Sequence, residues 1–254
     1  MSVDVRNDQG VLVIGLNRPG KKNALTAAMY QSIADALRSG GEDAAVRCFL
    51  LHGTDDAFTA GNDLDDFLRN PPQGDASPVS QFLRGISACA KPIVAAVSGP
   101  AVGVGTTMLL HCDLVYASQT ARFSTPFTQL ALCPEAASSL LMPMVAGYQR
   151  AAEKLLLGDP FTGADAVEFG LANAVLPAGE VVNHARRVAE RFNGLPPGAV
   201  RDAKRLLRGP QTEAILKTIR TEGDLFAARL RSPEAMEAFQ AFFQKRKPDF
   251  SKFA

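Results

Sequence analysis

Glu135 is the residue whose type and surroundings best suit proton transfer. It is the lone acid in FSTPFTQLALCPEAASS, Phe123 to Ser139, among apolar and small neutral side chains. Such flanks would bury the carboxyl, and burial raises a glutamate pKa from about 4.3 toward roughly 6–7, the range of a base working near neutral pH. Glu135 also follows Pro134, and proline then glutamate is a favourable helix opening, with the acid facing the positive helix end. The local pattern leaves both readings open.

Two glycine-bearing stretches could supply partners. In AFTAGNDLDDF, Ala57 to Phe67, Gly61 would let the backbone turn sharply and aim amide N–H groups at a ligand. The plainer reading is a strand-to-helix loop with Asp63 as N-cap. VSGPAVGVGTTMLLHCD, Val97 to Asp113, reads as a strand, a glycine-rich turn and an apolar helix. Gly103 and Gly105 suggest a dinucleotide fingerprint, but Met108 stands where the third glycine belongs and no acidic ribose partner follows. What remains is a helix N-terminus able to hold a developing oxyanion, or simply a close helix–strand contact. His111 and Asp113, with Ser98 or Ser124, invite a triad, yet no GxSxG elbow occurs, and a histidine at a helix end commonly caps carbonyls.

Composition narrows the classes. The 254 residues are 46% hydrophobic with a formal net charge of +1, enough for a sizeable core and without the basic stripe of a nucleic-acid binder. No apolar run approaches the roughly 20 residues that span a bilayer, and the polar start MSVDVRNDQG predicts a cytoplasmic protein. Cys48, Cys89, Cys112 and Cys133 form no CxxC pair, as expected of reduced thiols, and no Cys/His cluster calls for a metal.

The elements that must position these residues follow from periodicity. Strands are expected at Val11–Asn17, Arg47–Gly53, Lys91–Gly99, Cys112–Ser118 and in ARFST. Thr26 should cap a helix ending at the Gly40–Gly41 pair. Alternation of strands and helices implies right-handed βαβ crossovers and a largely parallel sheet. Helical patterns then cover 136–145, 149–157, 179–191, 199–207 and 211–230. A last helix is capped by Ser232, with Pro233 first and Phe239, Phe242 and Phe243 on one stripe. NGLPPGA, Asn193 to Ala199, reads as a linker, which divides a core over 1–195 from a helical part over 196–254.

Taken in order, LNRPGKKNALT, AFTAGNDL, KPIVAAVSGPAVGVGTT, CDLVYAS, GDPFTGADAVEFGLANAVLP and FFQKRKPDF resemble the crotonase (enoyl-CoA hydratase/isomerase) superfamily over nearly the whole chain. The resemblance implies an α/β spiral of ββα/βαβ units with a helical C-terminal trimerisation region. It further implies an acyl-CoA thioester substrate, no separate cofactor, and a homotrimer or dimer of trimers. By position, the backbone N–H groups of Asn62 and Val104 would form an oxyanion hole. CoA would lie along Lys22 to Ala24 and Ala60, Gly61, Asn62, Asp63 and Leu64, with Lys245 or Lys247 near its phosphates. The two hydratase acids correspond to Thr107 and Phe127, neither of which moves protons at neutral pH. FSTPFTQLALCPEAASSLLMP is similar instead to peroxisomal-type Δ3,Δ2-enoyl-CoA isomerases, whose PE glutamate is the single base. Ala136 departs from that pattern, where glycine is common. The resemblance thus implies isomerisation through Glu135, with Phe127 lining the acyl pocket. Ring isomerisation of the phenylacetate type, hydration, and silent acyl-CoA binding remain as alternatives.

Overall fold

The structure is a computed structural model that describes residues 2–71 and 74–253. Its elements begin with β1 (Val3–Asp8), β2 (Val11–Leu16), α1 (Ala27–Glu42), β3 (Cys48–His52), α2 (Leu64–Arg69), α3 (Pro78–Ser87), β4 (Ile93–Val97), β5 (Pro100–Val102) and α4 (Val104–Thr107). There follow β6 (Leu114–Ser118), β7 (Arg122–Ser124), α5 (Ser138–Ala146), α6 (Tyr148–Ala152), β8 (Phe161–Thr162), α7 (Gly163–Glu168) and β9 (Ala174–Leu176). The chain closes with α8 (Val181–Glu190), α9 (Pro197–Arg208), α10 (Thr212–Arg229) and α11 (Pro233–Phe243).

Six strands form one sheet in the order β1-β2-β3-β4-β6-β9, antiparallel at the β1–β2 edge and parallel elsewhere. The central strands are buried on both faces, as parallel strands must be when helices cover both sides. Alternate residues divide between the faces. Val11, Val13, Cys48, Leu50, Val94 and Ala96 pack with Val181, Ala185 and Ala189 of α8. Leu12, Ile14, Phe49, Leu51, Ile93 and Ala95 belong with Ile33 and Leu37 of α1 and Phe82 and Ile86 of α3. A smaller sheet, β5-β7-β8, stands beside the first.

Several boundaries differ from the expected ones for visible reasons. Thr26 caps α1, its hydroxyl accepting from Met29 N–H at 3.3 Å. The helix nevertheless runs through Gly40–Gly41 to Glu42. A Cβ at Gly40 would meet Leu12 Cδ2 at 2.5 Å, so this glycine serves close packing on the sheet and not termination. The 149–157 helix divides into α6 and a π-helical turn over Glu153–Leu157. The expected linker is largely ordered: a 3₁₀ turn spans Arg191–Gly194 and α9 opens at Pro197. The apolar helix after Gly103 is α4 continued by a 3₁₀ turn, Met108–His111. Among the described residues no helix is long and apolar enough to cross a membrane.

Candidate active site

Two backbone segments are drawn together by hydrogen bonds between 59 and 102. Thr59 N–H donates to Pro100 O and Val102 N–H to Thr59 O, both at 3.0 Å. Glycines make the approach possible. Gly61 has φ +85°, and a Cβ there would lie 2.7 Å from Val102 O; one at Gly105 would lie 2.5 Å from Thr59 Cγ2. Leu25 fixes the strip from the other side, its N–H donating to Gly61 O at 2.7 Å while its carbonyl accepts from Asp63 N–H at 2.9 Å. Between these ties the N–H groups of Asn62 and Val104 donate to no acceptor among the described residues. Both residues line one cavity of about 870 Å³. Asp63 is also the N-cap of α2, accepting from Asp66 N–H at 3.1 Å. Burial pulls the Asp63 carboxyl upward, but Arg18 at 2.6 Å and the Asp66 N–H keep it below the usual range.

Glu135 does not open a helix. Helix α5 begins at Ser138, after Ala136 and Ala137, both at φ 57°. A left-handed turn of two alanines costs roughly 1–2 kcal/mol per residue and needs external support. His111 supplies part of it, with Nε2 2.8 Å from Ala136 O. Burial drives the His111 pKa down to about 4, so a neutral ring donates here and takes no part in a triad. Glu222 of α10 supplies the rest, accepting from Ala137 N–H at 2.6 Å and Ser139 N–H at 2.9 Å.

The turn leaves the Glu135 carboxyl facing a second cavity of about 360 Å³, shared with Tyr30 and Asn62. Burial raises its pKa to about 8; the hydrogen bond from Thr107 opposes the rise and the negative charge of Glu222 adds to it. Thr107, fully buried, donates to Glu135 Oε1 at 2.5 Å. Tyr30, also fully buried, donates its hydroxyl to Asn62 Oδ1 at 2.5 Å. Its pKa is well above the ordinary phenol value, through burial and then the charge of Glu135.

Asn62, Phe67 and Phe226 line both cavities, and the two rings meet edge to face at 6.0 Å. Ala24, Ala60, Gly61, Asp63, Leu64, Val104 and Phe127 border the larger cavity, and Glu135 borders the smaller. Phe127 thus stands beside Val104 in the larger cavity, which shares the wall of Asn62, Phe67 and Phe226 with the cavity of Glu135. Lys22 is not brought to either wall: it occupies a left-handed turn at φ 47°, and Lys21 lines the larger cavity in its place. Lys247 does line that cavity, together with Arg246, whereas Lys245 does not. The tail carrying them is tied to α11 by buried Glu237, which accepts from Arg246 at 2.6 Å, Asp249 N–H at 2.9 Å and Lys252 at 3.1 Å.

Tyr30, Thr107, His111 and Glu222 are thus site residues whose roles were missed in the linear reading. Thr107 carried a signal, since a hydroxyl can serve an acid supplied from elsewhere in the chain. Tyr30 and Glu222 carried none, because each reads as an ordinary residue of an amphipathic helix.

Comparison with known proteins identifies the family. The family model for enoyl-CoA hydratase/isomerase matches residues 6–252. Enoyl-CoA delta isomerase 2 of Rattus norvegicus is 35% identical over 248 residues, covering 95% of this chain; the chain spans only 63% of that relative's length. The 1,2-epoxyphenylacetyl-CoA isomerase of Escherichia coli is 30% identical, with 96% of each chain covered. Among solved structures, an enoyl-CoA hydratase/isomerase from Pseudoalteromonas atlantica T6c superposes with TM-score 0.95 at 44% identity, over 98% of this chain and 100% of that one. Agreement this complete, in sequence and in three dimensions, makes the chain a member of the enoyl-CoA hydratase/isomerase family, the crotonase superfamily.

Proposed function

We propose that the protein is a Δ3,Δ2-enoyl-CoA isomerase that uses Glu135 as its single acid/base. Ionised Glu135 takes a proton from C2 of a 3-enoyl-CoA. The electrons of the C2–H bond pass toward the thioester carbonyl, giving a dienolate whose oxygen is held by the N–H groups of Asn62 and Val104. Protonated Glu135 returns the proton to C4, the C3–C4 double bond becomes C2–C3, and the carboxylate is regenerated. One group can serve both carbons because it reaches C2 and C4 from the same face of the planar dienolate. Each oxyanion donor in comparable sites contributes roughly 3–4 kcal/mol to the transition state.

The observation that carries this reading is the isolation of Glu135. Of the other acids bordering the two cavities, Asp65, Asp75 and Asp224 are exposed and Asp63 is paired with Arg18. Burial raises the Glu135 pKa to about 8, and its hydrogen-bonding neighbour is a threonine where hydration would need a second carboxyl. The CoA portion fits the larger cavity, with Lys21, Arg246 and Lys247 available to its phosphates and Phe242, Phe243 and Phe250 offering flat apolar surface. Glu135→Gln tests the assignment: turnover of a 3-enoyl-CoA should fall at least 10³-fold, with CoA-ester affinity within about threefold of wild type. Near-normal turnover would remove Glu135 from the role.

A second reading, ring isomerisation, draws support from the likeness to the Escherichia coli 1,2-epoxyphenylacetyl-CoA isomerase over 96% of both chains. Turnover of epoxide-bearing aromatic CoA esters in preference to straight-chain 3-enoyl esters would favour it.

A further inference from the structure

The Glu135 turn is not self-supporting. Two consecutive non-glycine residues, Ala136 and Ala137, adopt φ 57°, and α5 has no capping side chain of its own. The carboxylate of Glu222 binds the turn on both sides of its second strained residue, at 2.6 Å to Ala137 N–H and 2.9 Å to Ser139 N–H. Glu222 is 5% exposed and belongs to α10, more than eighty residues away in sequence. Burial raises the Glu222 pKa, and hydrogen bonding from the Ser139 side chain and from the Ser139 and Ala137 N–H groups opposes the rise, so the carboxyl is anchored to the turn through both oxygens.

We propose that Glu222 is the positioning residue for Glu135: from the C-terminal helix α10 it holds the Ala136–Ala137 turn and thereby aims the proton-transferring carboxyl into the cavity beside Asn62. The inference rests on the reading of Glu135 as the base. The groups around the pair are few. Thr107 donates to Glu135, and Tyr30 lies close enough for its hydroxyl to feel the Glu135 charge. Cys133, adjoining the turn, is pushed up to about 11 by burial and then by Glu222. His111 is neutral. Arg220 and Asp224 border the same cavity at exposed positions, and Arg84 and Asp75 border it too and pair with each other. Lys217 lines a neighbouring cleft with Glu222, and the Arg229 guanidinium is committed to Ala131 O and Glu234. No cation bonds Glu222 among the described residues, so Ala137 and Ser139 are what hold it.

The test uses the full chain carrying Glu222→Gln, which keeps the size and removes the charge and one acceptor. Two measurements are made: the pH profile of 3-enoyl-CoA turnover, and the titration of the Glu135 carboxyl by ¹³C NMR of glutamate-labelled protein, the resonance identified by its loss in Glu135→Gln. The expected outcome is a Glu135 midpoint at least half a pH unit below wild type. At the plateau kcat should fall tenfold or more, with KM changed less than threefold. Adding Ala136→Gly and Ala137→Gly, which relieve the left-handed strain, should restore part of kcat while leaving the midpoint low. A folded Glu222→Gln protein with unchanged kcat, or with kcat lowered and the Glu135 midpoint unmoved, would overturn the proposal. Should that variant not fold, Glu222→Asp retains the charge but cannot span both N–H groups. It should lose kcat with the midpoint held, and full activity would overturn the proposal. Wild-type protein inert toward 3-enoyl-CoA would defeat the isomerase reading alone, since the NMR titration still decides whether Glu222 sets the state of Glu135.

Discussion

The Thr107 hydroxyl donates to Glu135 Oε1 at 2.5 Å, so a residue of α4 serves an acid 28 positions further along the chain. A hydrogen bond to the charged form favours ionisation, and this one opposes the burial that lifts the Glu135 pKa to about 8.

Thr107→Val removes that bond while keeping the volume. The Glu135 pKa should then rise further, and the acid limb of kcat/KM should move to higher pH. At pH 7 the loss should be about tenfold or more, the size of a hydrogen bond to a charged group. A pH–rate profile with its midpoint unmoved would contradict the arrangement.

The same raised pKa has a consequence for stability. Folded Glu135 holds its proton up to about pH 8, whereas the unfolded group releases it near the ordinary 4.5. Between those values the folded state binds more protons, so stability falls as pH rises. Glu135→Gln should be more stable than wild type above pH 8, by on the order of 4 kcal/mol at most, with the difference vanishing below about pH 4.5. Urea unfolding at pH 5 and pH 9 checks this; equal gaps at both would contradict it.

How much of this was legible in the sequence depends on where each signal resides. Strands β2, β3 and β4 were readable because burial on both faces makes continuous apolar runs. Strand β1 was not, because it is an edge strand with most of its residues exposed. Gly40 looked like a helix stop and is a packing contact, a distinction that requires knowing that Leu12 and Phe49 lie beneath it. The N–H groups of Asn62 and Val104 could be picked out through family resemblance because they are backbone groups and their glycines are local. The supports of Glu135 could not, since Thr107, His111 and Glu222 reach it from three separate elements.

Tyr30 and Asn62 make a further testable pair. The phenol donates to Asn62 Oδ1 and so fixes Asn62 at the wall of the cavity shared with Glu135. Tyr30→Phe should lower kcat/KM about tenfold. In an Asn62→Ala background the same change should have almost no further effect, because the two act as one unit. Additive losses in the double-mutant cycle would separate them.

Glu237 holds Arg246, Lys252 and the Asp249 N–H, and those bonds keep its carboxyl far below the ordinary glutamate range. Glu237→Gln should loosen the tail that brings Arg246, Lys247 and Phe250 to the larger cavity. The expected result is a KM for CoA esters raised several-fold with kcat within about twofold, because the tail contacts the handle of the substrate and not the reacting carbons. A fall in kcat at constant KM would contradict the assignment.

The central claim is tested most directly by ultraviolet absorbance after mixing purified protein with a 3-enoyl-CoA, with a 2-enoyl-CoA in parallel. A conjugated thioester absorbs where the unconjugated one does not. The account predicts a rise with the 3-enoyl substrate, lost in Glu135→Gln, and little change with the 2-enoyl substrate. Decay of the 2-enoyl signal with no gain from the 3-enoyl ester would mean that water is being added, and would contradict a single-glutamate isomerase.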